Sequence, residues 1–421
     1  MRPFAQREIV LASRLGPSFD LDFLSPNLAA LVGVTRNSLE SYFDSTGARQ
    51  DAAINISPQD FDPSTLIVRG RPIWEQSTNT IRNPRCEGAV AGTPGTMPTH
   101  WASSTGVGIT RELVGTGTEN GIPYIDYRFT GTGAVVSDTQ FEQAIFIGAL
   151  SGQTWTHSSC FKIVSGSLTN VTVTQILGEY TAAGAFLAAS TQNITPTGAA
   201  LGGQRFSLSR ALNNASTAYT TAAVRVQSTG AIDITLRIGG PQLEQKPVAT
   251  PLILPPVGVP AQSTRAADSL VISDLAGIGF NPLEGTLVIN LRWGAIATGT
   301  FPGVGFRGAG LEAIGFFANQ ATGQAVALVR DAAATSQAQM TIQGSGVAAG
   351  ARSSLALVYG ANNFAGCANG GTVLTDVAGS VPTVTQLRFH QLDNAVNSWL
   401  ERARYWPRRL SGAEIQAVST L

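Results

Sequence analysis

The chain carries little charge, and that scarcity excludes several kinds of partner. Charged residues make up 13% of its 421 residues, about half of the usual ~25%. Lysine is almost missing, since Lys162 and Lys246 are the only two, and the 27 basic and 27 acidic residues give a formal net charge of zero. Nucleic acids and anionic membranes attract proteins with a basic surface. The sequence shows no basic stripe or acidic tail, so it predicts neither partner.

Cysteine and histidine are too few and too dispersed to build a disulfide framework or a zinc site. The chain has three of each. They are Cys86, Cys160, Cys367, His100, His157 and His390. Disulfide frameworks need paired cysteines, and zinc sites need closely spaced ligands. We therefore predict neither.

Long apolar runs are missing as well. No stretch approaches the ~20 apolar residues with which a helix crosses a bilayer, so we predict no membrane insertion. The opening residues, MRPFAQREIV, place Glu8 inside the part that would be the apolar core of a signal peptide. We expect a protein made in a cytoplasm that reaches the exterior by lysis or on a particle.

Turn-forming residues are abundant instead. The chain contains 46 glycines and 21 prolines, a composition typical of short strands joined by many turns. We predict an all-β protein with two antiparallel β-sandwich domains, jelly-roll or lectin-like, after an irregular N-terminal attachment region, and one short C-terminal helix. The predicted divisions are residues 1–82, 83–245, 246–264 and 265–421.

The N-terminal region, residues 1–82, shows neither a convincing helix nor a core of its own. Its short apolar pieces are broken by prolines, which interrupt both helices and ladders. We expect this region to pack on a neighbour, either another copy of the chain or a structural partner.

Residues 83–245 contain a regular series of strand patterns. In the clearest, Ile125, Tyr127 and Phe129 alternate with Asp126 and Arg128, which places the apolar side chains on one face and the charged ones on the other. Further strands are predicted at 141–150, 155–164, 168–177, 204–211, 221–227 and 232–238. This series indicates a sandwich or jelly roll.

A proline-rich segment separates this module from a second series of strands. Residues 246–264 contain five prolines, which cannot donate to a strand ladder, so we predict an extended, semi-rigid linker. Ser411 and Glu414 have the spacing of a capping box, which predicts a terminal helix of about two turns. Between the linker and this helix, strands are predicted at 269–273, 285–293, 313–318, 325–330, 338–344, 352–359, 371–377, 386–392 and 400–406.

Two stretches near the N-terminus resemble tail-fibre, spike and appendage proteins of phages and phage-like gene-transfer particles. The first is TR at 35–36 with YFDSTG at 42–47 and AA at 52–53, although residues 39–41 replace the small residues of that pattern. The second is TNTIRNPR at 78–85 with GTPGTMPTHW at 92–101. It is similar to the start of a carbohydrate-binding-module-like jelly roll.

A third stretch resembles the junction of the same family that leads into a concanavalin- or laminin-G-like lectin sandwich. It comprises QLE at 242–244, VATPLI at 248–253 and TRAAD at 264–268, and RYWPRRLS at 404–411 is similar to the final strand and helix of that module. The resemblance implies a virion surface fibre or spike subunit, assembled in a bacterial cytoplasm and released by lysis. It does not separate a head spike from a tail fibre.

The implied partners are host capsular or surface polysaccharide, and other virion structural proteins bound through the N-terminal region. A homo-oligomer is expected, because weak single sites need many copies for avidity. Two alternatives stay open: a purely architectural capsid or tail component that binds no glycan, and a glycan depolymerase.

Sugar-binding surfaces combine aromatic faces with amides, carboxylates and arginine. In the first module this chemistry points to Trp101 and His100 after a turn, with Asp126 and Arg128 on a polar strand face. The structural alternative is that Trp101 plugs the core and that Asp126 and Arg128 pair on the surface.

In the second module, Asn362 and Asn363 form a candidate saccharide loop, although such residues often supply only turn geometry. Trp293, Trp399 and Trp406 lie on strand patterns, so we assign them to the core.

Catalytic and metal motifs are not recognisable. A glycosidase needs two carboxylates across the sugar bond, and no spacing favours the acidic residues of the first module. They are Glu112, Glu119, Asp126 and Glu142. Carboxylates for a calcium site are scattered over Asp268, Asp274, Asp331, Asp376 and Asp393. We therefore predict no enzyme and no cofactor, and a calcium site stays an open alternative that no spacing supports.

Overall fold

The chain folds almost entirely into β-strands. The computed structural model describes residues 16–143, 145–294, 303–319, 322–389 and 397–421. Its strands pair antiparallel in several sheets, and one short α-helix lies near the C-terminus. The predicted fold class, antiparallel β-sandwiches with one short terminal helix, is confirmed.

The described residues of the N-terminal part, 16–79, contain seven short strands. They are β1 (Phe19–Asp22), β2 (Gly33–Thr35), β3 (Glu40–Phe43), β4 (Arg49–Ala52), β5 (Asp60–Phe61), β6 (Val68–Ile73) and β7 (Ser77–Asn79).

The next eleven strands build the first sandwich. They are β8 (Ala102–Thr105), β9 (Ile109–Glu119), β10 (Ile122–Gly133), β11 (Val136–Gln140), β12 (Ile147–Gly148), β13 (Thr154–Ser165), β14 (Val171–Tyr180), β15 (Phe186–Ile194), β16 (Arg205–Ala211), β17 (Tyr219–Ser228) and β18 (Gly230–Glu244). A 3₁₀ turn, Leu201–Gly203, precedes β16.

The remaining strands and the helix follow the proline-rich segment. They are β19 (Ser263–Arg265), β20 (Ser269–Ile272), β21 (Glu284–Trp293), β22 (Gly303–Arg307), β23 (Ala313–Asn319), β24 (Gln324–Arg330), β25 (Ser336–Gln343), β26 (Arg352–Gly360), β27 (Phe364–Ala368), β28 (Leu374–Asp376), β29 (Gln386–Arg388), β30 (Ser398–Trp406) and α1 (Gly412–Val418).

The first sandwich packs a five-stranded sheet, β16-β13-β18-β10-β9, against a sheet of order β15-β14-β17-β11-β8 in which β12 also pairs with β17. The alternation predicted for β10 is confirmed, because Ile125, Tyr127 and Phe129 are all buried in the core between the sheets. Asp126 and Arg128 therefore lie on the outer face of the five-stranded sheet.

The second sandwich incorporates strands from the N-terminal part. One sheet has the order β28-β27-β26-β21-β30-β6-β5, with β1 also paired to β30, and the other has the order β2-β20-β29-β22-β23-β24-β25. Phe19, Leu21, Phe23 and Ile73 enter the core of this sandwich. Burial of each such side chain contributes about 1.5–3 kcal/mol to the free energy of folding. These contacts hold the N-terminal part on the second sandwich.

The N-terminal part is thus more regular than its sequence indicates. Its strands are two to six residues long, too short for a clear alternation pattern. The neighbour on which its strands pair is the second sandwich of the same chain.

The proline-rich segment has no regular structure before β19 and lies against the first sandwich. Gln242 binds it through its side chain: Oε1 accepts from the Ile253 amide at 2.7 Å, and Nε2 donates to the carbonyl oxygens of Thr250 and Pro251. The side chains of Leu252 and Ile253 are buried. This packing brings the segment close to the N-terminal strands.

Helix α1 begins as predicted. The Oγ of Ser411 accepts a hydrogen bond from the amide of Glu414, whose carboxylate accepts from the Ser411 amide. This capping box satisfies two amides of the first turn. Within the described residues, no helix has the length and apolar character needed to span a membrane.

Two predicted strands differ in detail. Residues 141–150 form mainly a loop around the short β12, and 371–377 shrink to β28. Seven strands after the N-terminal part were not predicted: β8, β9, β11, β15, β19, β22 and β27. At β27, Asn362 and Asn363 indicate a loop immediately before the strand that starts at Phe364. Part of the predicted strand 386–392 lies outside the described residues.

Candidate functional site

Trp101, the predicted sugar-stacking ring, lies inside the first sandwich. Its side chain is 7% exposed, its Nε1 donates to the carbonyl oxygen of Asn83 at 3.1 Å, and its ring packs edge-on against Phe141. A buried indole has no free face for a pyranose ring. Trp101 therefore fills the end of the core. His100 beside it lies in the preceding turn with φ of 75°, and its role in binding stays a prediction.

Asp126 and Arg128 do not pair with each other. Each forms a bidentate ion pair across β10 and β18: Asp126 with Arg237 at 2.8 Å, and Arg128 with Asp233 at 2.9 Å. Arg128 also reaches Glu112 on β9 at 3.3 Å. Arg237 lies directly opposite Asp126, and Asp233 is the diagonal neighbour of Arg128. Direct and diagonal neighbours on antiparallel strands share a face, which explains these partners.

These pairs belong to a band of charged side chains on the outer face of the five-stranded sheet, which we call the polar lane. Its members are Glu112, Glu119, Asp126, Arg128, Lys162, Asp233 and Arg237. The guanidinium of Arg237 lies 3.5 Å from the centroid of the Tyr124 ring. A shallow depression of about 350 Å³ surrounds Arg128. The paired charges of the polar lane can exchange hydrogen bonds with the hydroxyl groups of a ligand.

Asn362 and Asn363 form the turn between β26 and β27. Asn362 has φ of 55°, and its Oδ1 accepts from the Gly379 amide at 3.1 Å. Asn363 accepts from the guanidinium of Arg409. Both amide oxygens thus have partners within the chain, and saccharide binding by this loop stays a prediction. The loop belongs to a different sandwich from the polar lane.

A second concave surface lies where the N-terminal strands meet both sandwiches. This junction cleft has a volume of about 370 Å³. The charged and the larger aromatic side chains of its lining include Tyr42, Arg49, Asp60, Asp62, Arg69, Trp74, Arg205 and Trp399. Sequence reasoning did not select any of these as a site residue.

Asp62 lies in the turn between β5 and β6. Its Oδ1 accepts from the amides of Ser64 and Thr65 at 2.9 Å each, an arrangement that aspartate commonly forms in turns. Its Oδ2 accepts from Arg69 at 2.6 Å. Burial raises the pKa of Asp62, but these hydrogen bonds and the Arg69 charge outweigh it and lower the pKa to about 2. The carboxylate is anionic at neutral pH.

Asp60 is the more buried carboxylate, with a side chain 7% exposed against 30% for Asp62. Its two oxygens accept from the Phe43 amide and from the Trp399 Nε1, each at 2.7 Å. Burial raises its pKa, and these hydrogen bonds partly offset that effect. Because it is nearly enclosed, Asp60 orients the Trp399 ring, whereas the more exposed Asp62 carboxylate faces the cleft.

Two tryptophans and one arginine complete the wall on the side of the second sandwich. The Trp74 and Trp399 rings meet edge to face with centroids 5.0 Å apart, and the Arg69 guanidinium lies 5.1 Å from the centre of Trp399. The assignment of Trp399 to the core is corrected: it is partly exposed and lines the cleft. Trp293 and Trp406 are buried, as predicted.

The opposite wall comes from the first sandwich and the proline-rich segment. Ile122, Cys160 and Leu252 form a small apolar cluster there, and Arg205 donates to the carbonyl oxygen of Thr250 at 2.6 Å. Burial raises the pKa of the Cys160 thiol to about 11, so this thiol stays protonated at neutral pH and is a poor nucleophile.

The cleft therefore combines aromatic rings with one accessible anionic carboxylate and several guanidinium groups. Such a combination can pack on the apolar face of a sugar and exchange hydrogen bonds with its hydroxyls. Within the described residues, no group of three or more histidine, cysteine or acidic side chains is placed to hold a metal ion. Asp393, one of the scattered carboxylates, lies outside them.

The lining residues come from distant parts of the chain: Asp62 and Arg69 from the N-terminal part, Arg205 from the first sandwich and Trp399 from the second. No local spacing connects them. The nearest sequence signal was the YFDSTG motif at 42–47, which contributes Tyr42 to the cleft wall.

No protein-family model matches the chain, and no curated protein matches it. Among solved structures, it is similar to the enzymatically active domain of tailspike protein 4 of bacteriophage CBA120, at 13% identity and a TM-score of 0.25. It is also similar to a Trypanosoma rangeli sialidase mutant, at 16% identity and a TM-score of 0.28. A third is the tandem CBM22 modules of Paenibacillus barcinonensis Xyn10C, at 9% identity and a TM-score of 0.23.

The extent of these alignments differs. They cover 34%, 35% and 76% of this chain, and 19%, 25% and 98% of the tailspike, the sialidase and the tandem modules respectively. The chain thus spans about a fifth of the tailspike domain and a quarter of the sialidase. With such low identities and TM-scores, no residue role is carried over. The prediction that the chain is not an enzyme is contradicted, because an enzymatically active tailspike domain and sialidases are among these neighbours, and we withdraw it.

Proposed function

We propose that the chain is a fibre or spike subunit on the surface of a virion-like particle, and that it binds host polysaccharide through the junction cleft. The observation that supports this most is that the Trp399 ring and the Asp62 carboxylate line the same cleft. Asp62 stays charged at neutral pH, and hydrogen bonds to a charged group are worth about 1.5–3 kcal/mol.

The N-terminal part supports an attachment role in the same proposal. Several of its apolar side chains are strongly exposed, including Ile54, Ile56 and Ile67. Contiguous exposed apolar side chains commonly mark protein contacts. We propose that they contact other virion structural proteins, and that several copies per particle raise the avidity of a weak cleft.

A matched pair of variants tests the cleft. Asp62→Asn removes the charge but keeps an amide oxygen that can accept from Ser64 and Thr65. Asp44→Asn is the control, since Asp44 makes a similar turn with Thr46 and Ala48 outside the cleft. We expect Asp62→Asn to weaken binding to an array of bacterial surface polysaccharides about tenfold or more, while Asp44→Asn binds like the parent.

Adsorption tests the biological step. Particles with and without the chain are mixed with host cells that bear or lack surface polysaccharide. If removing the chain and removing the polysaccharide reduce adsorption equally, and removing both reduces it no further, the two act in one shared binding step. Unchanged adsorption without the chain, together with no polysaccharide binding on the array, would make the sandwiches architectural and overturn the proposal.

A further inference from the structure

A pocket with an excess of arginine lies beside the junction cleft, where three parts of the chain meet. It has a volume of about 270 Å³, and we call it the arginine pocket. Its walls come from β3 and β4, from the proline-rich segment with β19, and from the start of the first sandwich. Its charged lining residues are Arg49, Asp51, Arg85 and Arg265. Arg49 and Leu252 also line the junction cleft, so the two concave surfaces are neighbours.

Arg85 lacks a carboxylate partner. Within the described residues it forms no ion pair, and its one hydrogen bond runs from Nε to the carbonyl oxygen of Pro255, which also lines the pocket. Glu87, the nearest acidic residue along the chain, accepts from the Gly258 amide instead. The two Nη groups of Arg85 therefore remain available at the pocket wall, where a carboxylate can accept from both.

Arg49 lies close to Arg85. It is 7% exposed, and its Nη2 donates to Asp51. Burial lowers the pKa of Arg49, the Asp51 carboxylate partly offsets this, and the charge of Arg85 adds to the fall, which agrees with two neighbouring guanidinium groups. Because like charges at one small pocket repel each other, an anion between them would be stabilised by both.

Two buried arginine nitrogens at this pocket lack an acceptor. In the part of the chain that the structure describes, neither the Nε of Arg49 nor that of Arg265 has a hydrogen-bond partner. Arg265 is 2% exposed, and its Nη1 reaches Asp268 at 3.3 Å, a carboxylate that it shares with Arg36. Buried donors without acceptors are rare in folded proteins. Two of them at one pocket point to an acceptor supplied from outside the chain.

The rest of the lining favours an apolar ligand body. Leu252 and Ile253 are buried, whereas Leu39 is 58% exposed, and Leu254 with Pro255 extends the apolar wall. The described lining contains no aromatic ring on which a sugar could stack. Inorganic phosphate would gain nothing from apolar walls. A carboxylate carried on an apolar group matches both parts of the lining.

We propose that the arginine pocket binds a carboxylate of a partner protein segment, with an apolar side chain of that segment next to the carboxylate. The carboxylate would accept from Arg85 and Arg49, and the apolar side chain would pack on Leu39 and Leu254. Val257, which follows the lining residue Pro256, is 77% exposed and offers further apolar surface to the segment. This inference does not rest on glycan binding by the junction cleft.

Saturation-transfer NMR of the full chain with N-acetyl-leucine and its uncharged analogue N-acetyl-leucinamide tests the pocket. We expect the acid to bind and the amide to bind at least about tenfold more weakly, because hydrogen bonds to a charged group are lost. Arg85→Gln removes the charge but keeps a donor for Pro255, and it should weaken binding of the acid by a similar factor.

Two further variants make this experiment specific. Leu39→Ala changes an exposed position that the fold does not depend on, and it should weaken binding of the acid severalfold through lost apolar contact. Arg402→Gln is the control, because its ion pair with Asp20 is exposed and lies outside the pocket. It should bind the acid like the parent.

Equal binding of the acid and the amide, or unchanged binding of the acid to Arg85→Gln, would overturn the proposal. Binding of glucuronate in place of N-acetyl-leucine would overturn it in favour of an acidic sugar, and equal affinity for inorganic phosphate would do so in favour of a general anion site. Asp62→Asn separates this pocket from the junction cleft, because Asp62 does not line it. That variant should bind N-acetyl-leucine like the parent even if the cleft proposal fails.

Discussion

The two sandwiches use their outer surfaces in opposite ways. The first leaves much of both outer sheet faces exposed. The polar lane lies on one of them, whose end around Ile122 and Cys160 is covered by Leu252, and the exposed Phe186 ring lies on the other. In the second, the outer face of the sheet that contains β21, β26 and β30 is covered by α1, over an apolar cluster around Val288, Trp406 and Ile415. The edge of β30 that does not pair with β21 pairs with β1 and β6.

The first sandwich exposes its outer faces, whereas the second uses its outer surface to hold the N-terminal part and α1. The second sandwich binds the N-terminal part through strand pairing, shared core and a buried charge cluster, and so keeps one wall of the junction cleft in place. In that cluster Arg36 binds Glu40 at 2.6 Å and Asp268 at 2.9 Å, and Asp268 also accepts from the Trp74 amide. Burial raises the pKa of Glu40 well above its usual value, and Asp268 adds to that rise.

The largest expected effect is the loss of this cluster. Arg36→Ala leaves Glu40 and Asp268 buried without their shared partner, which should lower the free energy of unfolding by about 3–5 kcal/mol. Urea denaturation followed by tryptophan fluorescence measures it. Arg402→Ala is the control, because its ion pair with Asp20 is exposed and should cost no more than about 1 kcal/mol. Equal costs for both variants would show that the buried charge cluster holds the N-terminal part no better than an exposed ion pair does.

Removing the helix contact should have the next largest effect. Ile415, on the inner face of α1, is fully buried against the sheet, and Ile415→Ala should lower the free energy of unfolding by about 2–3 kcal/mol, toward the low end for such truncations because a terminal helix can relax. The same denaturation experiment measures it, with Val107→Ala, at a fully exposed position of the first sandwich, as control. A cost below that of the control would mean that α1 does not cover the sheet in solution.

Asp62 should add a pH dependence of smaller size. Its pKa in the folded chain is about 2, below the ordinary 3.8, so its contribution to stability is present above pH 3.8 and is lost as the pH falls toward 2. The stability difference between the parent and Asp62→Asn should therefore shrink over that interval. A difference that is constant with pH would contradict the bonds assigned to this carboxylate.

The smallest expected effect concerns the polar lane. Asp126→Asn weakens a partly exposed ion pair with Arg237, and the cost in unfolding free energy should be no more than about 1 kcal/mol. Thermal denaturation in low and high salt measures it, since screening should reduce the parent's advantage further. A cost like that of Arg36→Ala would show that the first sandwich also depends on its outer charges.

Much of the architecture could be predicted from local patterns. The alternation around Tyr127 placed β10 correctly, and Ser411 with Glu414 marked the start of α1. The seven N-terminal strands could not be predicted, because strands of two to six residues bury too few side chains to show a period. Pairing with β30 and β20 stabilises β1, β2 and β6, and those partners are more than 200 residues away.

The candidate sites show the same limit. Asp126 and Arg128 were identified as outward-facing, but their partners, Arg237 and Asp233, depend on the register between β10 and β18. Trp101 follows a turn, as the aromatic residues of sugar-binding loops often do, yet its ring is buried. The sequence does not reveal which end of a sandwich is closed.

By itself the sequence determined which side chains point inward where alternation is clear, as in β10, because a period of two is a property of neighbouring residues. It also determined the turns and the helix cap, which depend on a few adjacent groups. Only the tertiary structure decided which outward faces stay open, which one α1 covers, and that Asp62 and Trp399 share a cleft. Those outcomes depend on hydrogen bonding and packing between segments far apart in the chain, and no local pattern records them.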